Sequence, residues 1–87
     1  MTTPKNTISG VDLTGKVVVL RAECYRGPDT ERVFKCKGGF GCSPITIGTA
    51  VYGHFVFDGE ETRVERYEVE RLAEVHEIDA ALKLRDG

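Results

Sequence analysis

Five side chains carry the widest chemical reach in this sequence: Cys24, Cys36, Cys42, His54 and His76. Thiolates and imidazoles are the usual ligands of tetrahedral zinc, so composition alone admits a Cys3His site. Spacing argues against it. Structural zinc takes ligands in pairs with about two to four residues between them, and the nearest pair here, Cys36 and Cys42, has five residues between its members. If the first two strands pair around a turn at Gly27-Pro28, Cys36 faces about residue 19, and Cys24 lies roughly 16 Å further along the ladder at ~3.3 Å per residue. Cys24 and Cys36 then share neither a metal nor a disulfide. Cys36, Cys42 and His54 form the one metal set left open; otherwise the cysteines read as small buried hydrophobes. Three cysteines also exclude a fully paired disulfide framework within one chain.

A nucleophile is the second chemistry to weigh. Cys42 lies on a glycine-rich segment, and a histidine elsewhere would complete a Cys/His pair. Neither a nucleophile elbow nor an orienting acid accompanies it, so the chain reads as non-enzymatic, with no catalytic residue and no cofactor. The segment itself, Gly38-Gly39-Phe40-Gly41-Cys42-Ser43-Pro44-Ile45-Thr46-Ile47-Gly48, holds four glycines in eleven residues. With Lys35 and Lys37 on its approach it could cradle an anion on backbone N–H groups. It lacks the Gly-Lys-Ser/Thr of a P-loop and the βαβ surroundings of a dinucleotide site. What it does offer is Phe40 between Gly39 and Gly41, an aromatic with little local packing to hide in. Loops on a rigid scaffold are where binding residues concentrate.

Tyr52 and His54 share one face of a strand, and Tyr25 lies on a neighbouring strand. With Phe40 they would form an aromatic, partly polar patch suited to a peptide or to stacked bases. The competing expectation is that the C-terminal segment covers this face. The binding candidates are therefore Phe40, Tyr52, His54, Lys35, Lys37, Gly39 and Gly41.

Charge narrows the partner. The net charge is −2, but residues 1–42 carry seven Lys/Arg against four Asp/Glu, and residues 43–87 carry five against ten. Non-specific nucleic-acid binding usually accompanies a basic domain, so nucleic acid is the second choice, through Arg32, Lys35, Lys37, Tyr52 and Phe40. Another protein is the first. The acidic series Glu60, Glu61, Glu65, Glu68, Glu70, Glu74, Glu77 and Asp79 is interrupted by Arg63, Arg66 and Arg71, as in ordinary surface pairing. It also admits a third reading, a surface imitating nucleic-acid phosphates, as small phage or plasmid inhibitors do. The start of the chain has no apolar signal segment. The longest aliphatic run, Val17 to Leu20, is far too short to span a bilayer. A cytoplasmic location and no membrane partner follow. The oligomeric state stays open; an exposed third strand or C-terminal edge could pair with a second copy.

The elements that would hold these residues are mostly strands. Residues 1–9 read as a flexible arm, and residues 10–87 as one small β-rich domain. Val11 and Leu13 in the first turn dip toward a core. Lys16 to Tyr25 reads as a strand, with Leu20, Ala22 and Cys24 on one face. Arg26 to Asp29 reads as a turn, and Thr30 to Lys37 as a second strand with Phe34 and Cys36 opposite Lys35 and Lys37. Ser43-Pro44 would suit the start of a helical turn. Thr49 to Phe57 reads as a third strand, with Val51, Gly53, Phe55 and Phe57 inward; Gly53 there implies a bulge, a bend or close packing by another backbone. Asp58-Gly59 is a hairpin turn, Glu61 to Tyr67 the return strand, and Thr49 to Leu72 together a hairpin closing one side of the domain. Residues 68–85 fit either a helix, with a stripe Leu72, Val75, Ile78 and Leu82, or a strand through Ile78, Ala80, Leu82 and Leu84; the Ala and Glu content favours a short C-terminal helix.

Turns at this spacing suggest a small barrel. The segment Val56-Phe57-Asp58-Gly59-Glu60-Glu61-Thr62-Arg63-Val64, followed by Tyr67-Glu68-Val69-Glu70-Arg71-Leu72, resembles the second half of SH3-like small barrels. There an acidic-glycine turn joins two strands, and a short helical turn then delivers two apolar residues, here Val69 and Leu72, to the core. The resemblance covers about 25 residues and implies shape rather than activity: such barrels include peptide binders, methyl-lysine readers, RNA-binding modules and translation-protein domains. The chain has no Trp, unlike SH3 domains that bind proline-rich peptides. The expectation is a mainly β fold, an SH3-like barrel of four to five antiparallel strands with a C-terminal helix, acting as a protein-binding module through the glycine loop and the aromatic strand face.

Overall fold

The computed structural model describes residues 8–86, so residues 1–7 of the expected arm lie outside the described residues. Five strands form: β1 (Val17–Leu20), β2 (Val33–Gly38), β3 (Ala50–Phe55), β4 (Glu61–Glu65) and β5 (Val69–Leu72), followed by helix α1 (Val75–Asp86). They make one antiparallel sheet in the order β4-β3-β2-β1-β5.

The run Val17-Val18-Val19-Leu20 is apolar throughout because β1 is covered on both faces, and a strand buried on two sides does not alternate. Val18 and Leu20 join Phe34, Cys36, Val51, Val64 and Val69 in the main core. Val19 faces the other way, into a smaller cluster with Val33, Val56 and Ala81 beneath α1. The main core is capped by Leu13 and Cys42, whose backbones meet through Leu13 N–H donating to the Cys42 carbonyl at 2.8 Å. Val11 packs partly against the same cluster, as its position in the first turn implied.

Several expected boundaries move. β1 stops at Leu20, five residues early. The backbone N–H groups of Cys24 and Tyr25 both donate to the Arg21 carbonyl, and Ala22, Glu23 and Cys24 are exposed. The alternation of Leu20, Ala22 and Cys24 was present, but there is nothing for the last two to bury against. A 3-10 turn at Asp29–Arg32 then precedes β2. This longer connection sets the register at Val18↔Phe34, so Cys36 meets Lys16 rather than residue 19. The hairpin assigned to Thr49–Leu72 ends at Glu65. A 3-10 turn at Arg66–Glu68 carries the chain to β5, which pairs with β1 through Val18↔Leu72 and Val19↔Arg71. The barrel expectation is corrected: β4 and β5 are the two edges of an open sheet. Phe57 lies beyond the end of β3 and packs on the smaller cluster.

The helix expected after residue 73 is present, with a different buried stripe. Ile78 and Ala81 pack on the sheet, whereas Val75, Leu82 and Leu84 are exposed. One charged contact fixes its docking: the Arg71 guanidinium on β5 donates to both Glu77 carboxylate oxygens, at 2.6 and 2.7 Å. Glu77 Oε1 also accepts the Glu74 N–H at 2.9 Å, capping the first turn.

Gly53 on β3 resolves as close backbone approach. A Cβ there would lie 1.9 Å from the Lys35 carbonyl oxygen and 2.9 Å from the Phe34 ring. Gly53→Ala is expected to cost about 2–4 kcal/mol, read as a lowered urea midpoint, since the opposing atom is backbone and cannot swing aside. The Arg71 hydrogen bonds pull the Glu77 pKa from 4.5 down to about 2. A folded-state value below the unfolded one means stabilisation that is complete above about pH 4.5 and is lost as pH falls toward about 2. Because Arg71 is partly open to solvent, the effect should be on the order of 1–2 kcal/mol. Glu77→Gln should lower stability near neutrality and flatten the pH dependence across that window, measured by urea unfolding.

Candidate functional site

The outer face of the sheet is divided. α1 covers the part built by Val17, Val19 and Val33. The remainder carries most of the predicted site. Lys35 pairs with His54, His54 with Glu61, and Tyr52 with Arg63, so these residues share one surface across β2, β3 and β4. Tyr52 is exposed, and the helix does not cover it. Burial, then the nearby Lys37 and Arg85 charges, lower the His54 pKa from 6.5, leaving a neutral imidazole at pH 7. The two lysines are engaged within the chain: Lys37 Nζ donates to the Glu61 carboxylate, and Lys35 Nζ to the Gly15 carbonyl at 3.1 Å. Tyr25 does not join this patch. Its ring packs edge-on against Phe55 at 5.8 Å, on the side of the main core.

The glycine loop is anchored at its start and apolar at its tip. Residues Phe40–Cys42 form a 3-10 turn, earlier than the helical turn expected at Ser43-Pro44. Gly39 has φ +118, and a Cβ there would lie 2.4 Å from the Ala50 carbonyl oxygen and 2.9 Å from the Tyr52 ring. Gly41 is buried, with room for no Cβ because the Thr49 carbonyl oxygen would stand 2.1 Å away. Both glycines thus let the loop lie flat on the start of β3, with Phe40 turned outward between them. Thr46 Oγ1 donates to the Phe40 carbonyl at 2.5 Å, folding the tip back. The result is a cluster of large apolar side chains in water: Phe40 is 73% exposed, Ile45 90% and Ile47 103%. With Thr46 and Gly48 they line a shallow concavity.

Sequence reasoning found Phe40 but not Ile45 or Ile47. A usable signal was present: the twenty residues from Gly38 to Phe57 contain no Lys, Arg, Asp or Glu, in a chain that is 30% charged. It also missed Arg66, whose guanidinium donates to four carbonyls: Gly41 at 2.9 Å, Cys42 at 3.0 Å, Ile8 at 2.7 Å and Val11 at 2.8 Å. Nothing in the spacing of the sequence marks a side chain that must reach so far.

The metal set is not assembled. Cys36 and Cys42 both lie in the main core, while His54 is on the opposite face of the sheet, one residue out of phase with the Cys36↔Gly53 pair. Among the described residues no group of three His, Cys, Asp or Glu side chains could hold a metal ion. Burial pushes the Cys36 thiol up to about 12 and raises Cys42 as well, which disfavours the thiolate a nucleophile needs. No helix among the described residues is long and apolar enough to cross a membrane. Comparison with protein-family models, with curated proteins and with solved structures gives no match for this chain.

Thiol reactivity checks that geometry. At about pH 8, near the ~8.5 pKa of a free thiol, iodoacetamide should modify exposed Cys24 in the folded protein and leave Cys36 and Cys42 intact until denaturant is added. Mass spectrometry showing Cys42 modified in step with Cys24 would contradict the buried placement of the turn at residues 40–42.

Proposed function

We propose that this chain is a small, non-enzymatic module that binds another protein through the tip of the 38–48 loop, with Tyr52 extending the contact onto the sheet. The observation that carries this reading is the exposure of Phe40, Ile45 and Ile47 within eight residues of one another. Burying such side chains is worth about 1.5–3 kcal/mol each, and isolated soluble domains rarely leave that much apolar surface clustered in water. The loop's first turn is already ordered, so binding costs little further backbone entropy there. Aromatic and aliphatic anchors ringed by polar groups are the usual centre of a protein interface.

The strand order and the 3-10 turn at Arg66–Glu68 support the kinship in shape with SH3-like modules. Val69, buried, and Leu72, half-buried, occupy the core positions that the resemblance assigns to them. This support comes from order and turns, since the sheet is open. Three free thiols suit a reducing compartment such as the cytoplasm. The nucleic-acid reading is less favoured, because Lys37 is spent on Glu61 and Lys35 on the Gly15 carbonyl.

Phe40→Ala and Ile47→Ser test the proposal by affinity capture from the source cell. Both should fold as the wild type does, and each should lose the captured partner by roughly tenfold or more. Raising salt should leave capture by the wild type nearly unchanged, as expected for an apolar contact and not for phosphate binding. Equal recovery of the same partners by wild type and both variants would place the binding surface elsewhere.

A further inference from the structure

At the other end of β3 from the loop lies a second concavity of different chemistry. The rings of Tyr25, Phe55 and Phe57 form its walls, and its volume is about 290 Å³. Tyr25 and Phe55 meet at 5.8 Å and 65°, Phe55 and Phe57 at 6.2 Å and 66°. Neighbouring rings set edge-to-face turn their faces in different directions, and all three side chains are only half-buried. The rim carries Glu31, Asp58 and Glu60 against a single guanidinium, Arg26. Glu31 and Glu60 form no ion pair among the described residues. Arg85 of α1 lies over Gly59 in the same turn but does not line the concavity.

We propose that this notch is a receptor for an alkylammonium group, held against the faces of Tyr25, Phe55 and Phe57 and neutralised by Glu31, Asp58 and Glu60. The ring faces carry partial negative charge and attract a cation directly. The carboxylates exclude phosphates and other anions by like-charge repulsion. The size matches a head group rather than a whole ligand, being at the lower limit of ~300 Å³ for small-molecule sites. Alkylated ammonium groups suit it best, since their desolvation is cheaper than that of a bare ammonium and their methyl groups fill the space between rings. The site is prepared for this use: the Tyr25 ring is braced edge-on against Phe55, and the Asp58 carboxylate accepts the Glu60 N–H at 2.9 Å, which fixes the turn. It stands apart from the 38–48 loop and does not depend on that loop's role.

The test is a heteronuclear NMR titration of the whole chain with three probes: tetramethylammonium chloride, blocked Nε-trimethyl-lysine, and the neutral tert-butyl isostere of that amino acid. Both cations should give saturable shifts at Tyr25, Phe55 and Phe57, and the neutral isostere none at the same concentrations. The double variant Glu31→Gln with Glu60→Gln changes no buried residue and should weaken the cations roughly threefold to tenfold. Tyr25→Leu keeps an apolar filler and should weaken them as well. Phe40→Ala should leave the titration unchanged, which separates this site from the loop. Tighter binding of trimethyl-lysine than of tetramethylammonium assigns the ligand to a side chain of a partner protein; equal affinity assigns a free amine. Absent or unsaturable shifts, shifts matched by the neutral isostere, or undiminished affinity in a natively folded double variant would overturn the proposal.

Discussion

The Arg66 guanidinium is the interaction on which the arrangement of the molecule rests. Four carbonyls, from Ile8, Val11, Gly41 and Cys42, converge on its two terminal nitrogens. These carbonyls belong to two segments far from Arg66 in sequence and outside the strands of the sheet; those of Ile8 and Cys42 also accept backbone N–H groups, from Val11 and Leu13. A buried carbonyl left without a donor costs about 1–3 kcal/mol. One planar cation with five donors replaces what would otherwise require several strands. Lysine could not do this, because three donors on one atom cannot reach carbonyls spread across two loops. The backbone N–H of the same residue donates to the Thr49 carbonyl at 2.7 Å. Arg66 therefore ties the entry segment, the 3-10 turn under Phe40, the start of β3 and the link to β5 at one point.

That clamp explains how an open sheet keeps a dry core. In a closed barrel the edge strands would complete each other's hydrogen bonds and seal the interior. Here β4 and β5 part after Glu65, and the opening is filled by side chains and loops rather than by a ladder. Leu13 and Cys42 are lodged against the core and locked to each other by a backbone hydrogen bond. α1 performs the same service on the outer face over β1 and β2, held by Arg71 and Glu77. Two bidentate or multidentate arginines thus hold the two pieces that the sheet does not hold itself. A third, Arg32, is nearly buried and joins the Leu20 carbonyl to Asp29 at the end of β1.

What the sequence disclosed follows from the range of the forces involved. The strand cores were legible because side-chain alternation is local: Phe34 and Cys36 inward, Lys35 and Lys37 outward, Tyr52 and His54 on the outer face. The Asp58-Gly59 turn was legible for the same reason. The register of β1 with β2 was not, since it depends on how the residues from Arg21 to Arg32 use their length, and that segment folds on its own hydrogen bonds. The fate of residues 69–72 was hidden as well, because β5 finds its partner in β1 about fifty residues away. Phe40 was recognisable from its glycine neighbours, whereas Ile45 and Ile47 have no such flanking glycine pair, and their exposure depends on how the loop folds back. The notch at Tyr25, Phe55 and Phe57 was invisible for a similar reason: Tyr25 reaches it only because β1 ends early and the chain turns back.

The two candidate surfaces sit at opposite ends of one rigid strand. β3 runs from Ala50, beside the apolar loop, to Phe55, on the wall of the acidic notch. Five steps of ~3.3 Å separate them by roughly 17 Å, and the strand between is paired on both sides and packed closely on the Lys35 backbone and the Phe34 ring at Gly53. Their chemistries are also opposed, one uncharged and aliphatic, the other aromatic and acidic. A partner that used both would present an apolar anchor and a cation at a fixed spacing, and the strand would enforce that spacing without loop closure or rearrangement. Each contact alone is modest, but the second would form at the high effective concentration set by the first. Selectivity in such a module would come less from either contact than from the unyielding distance between them.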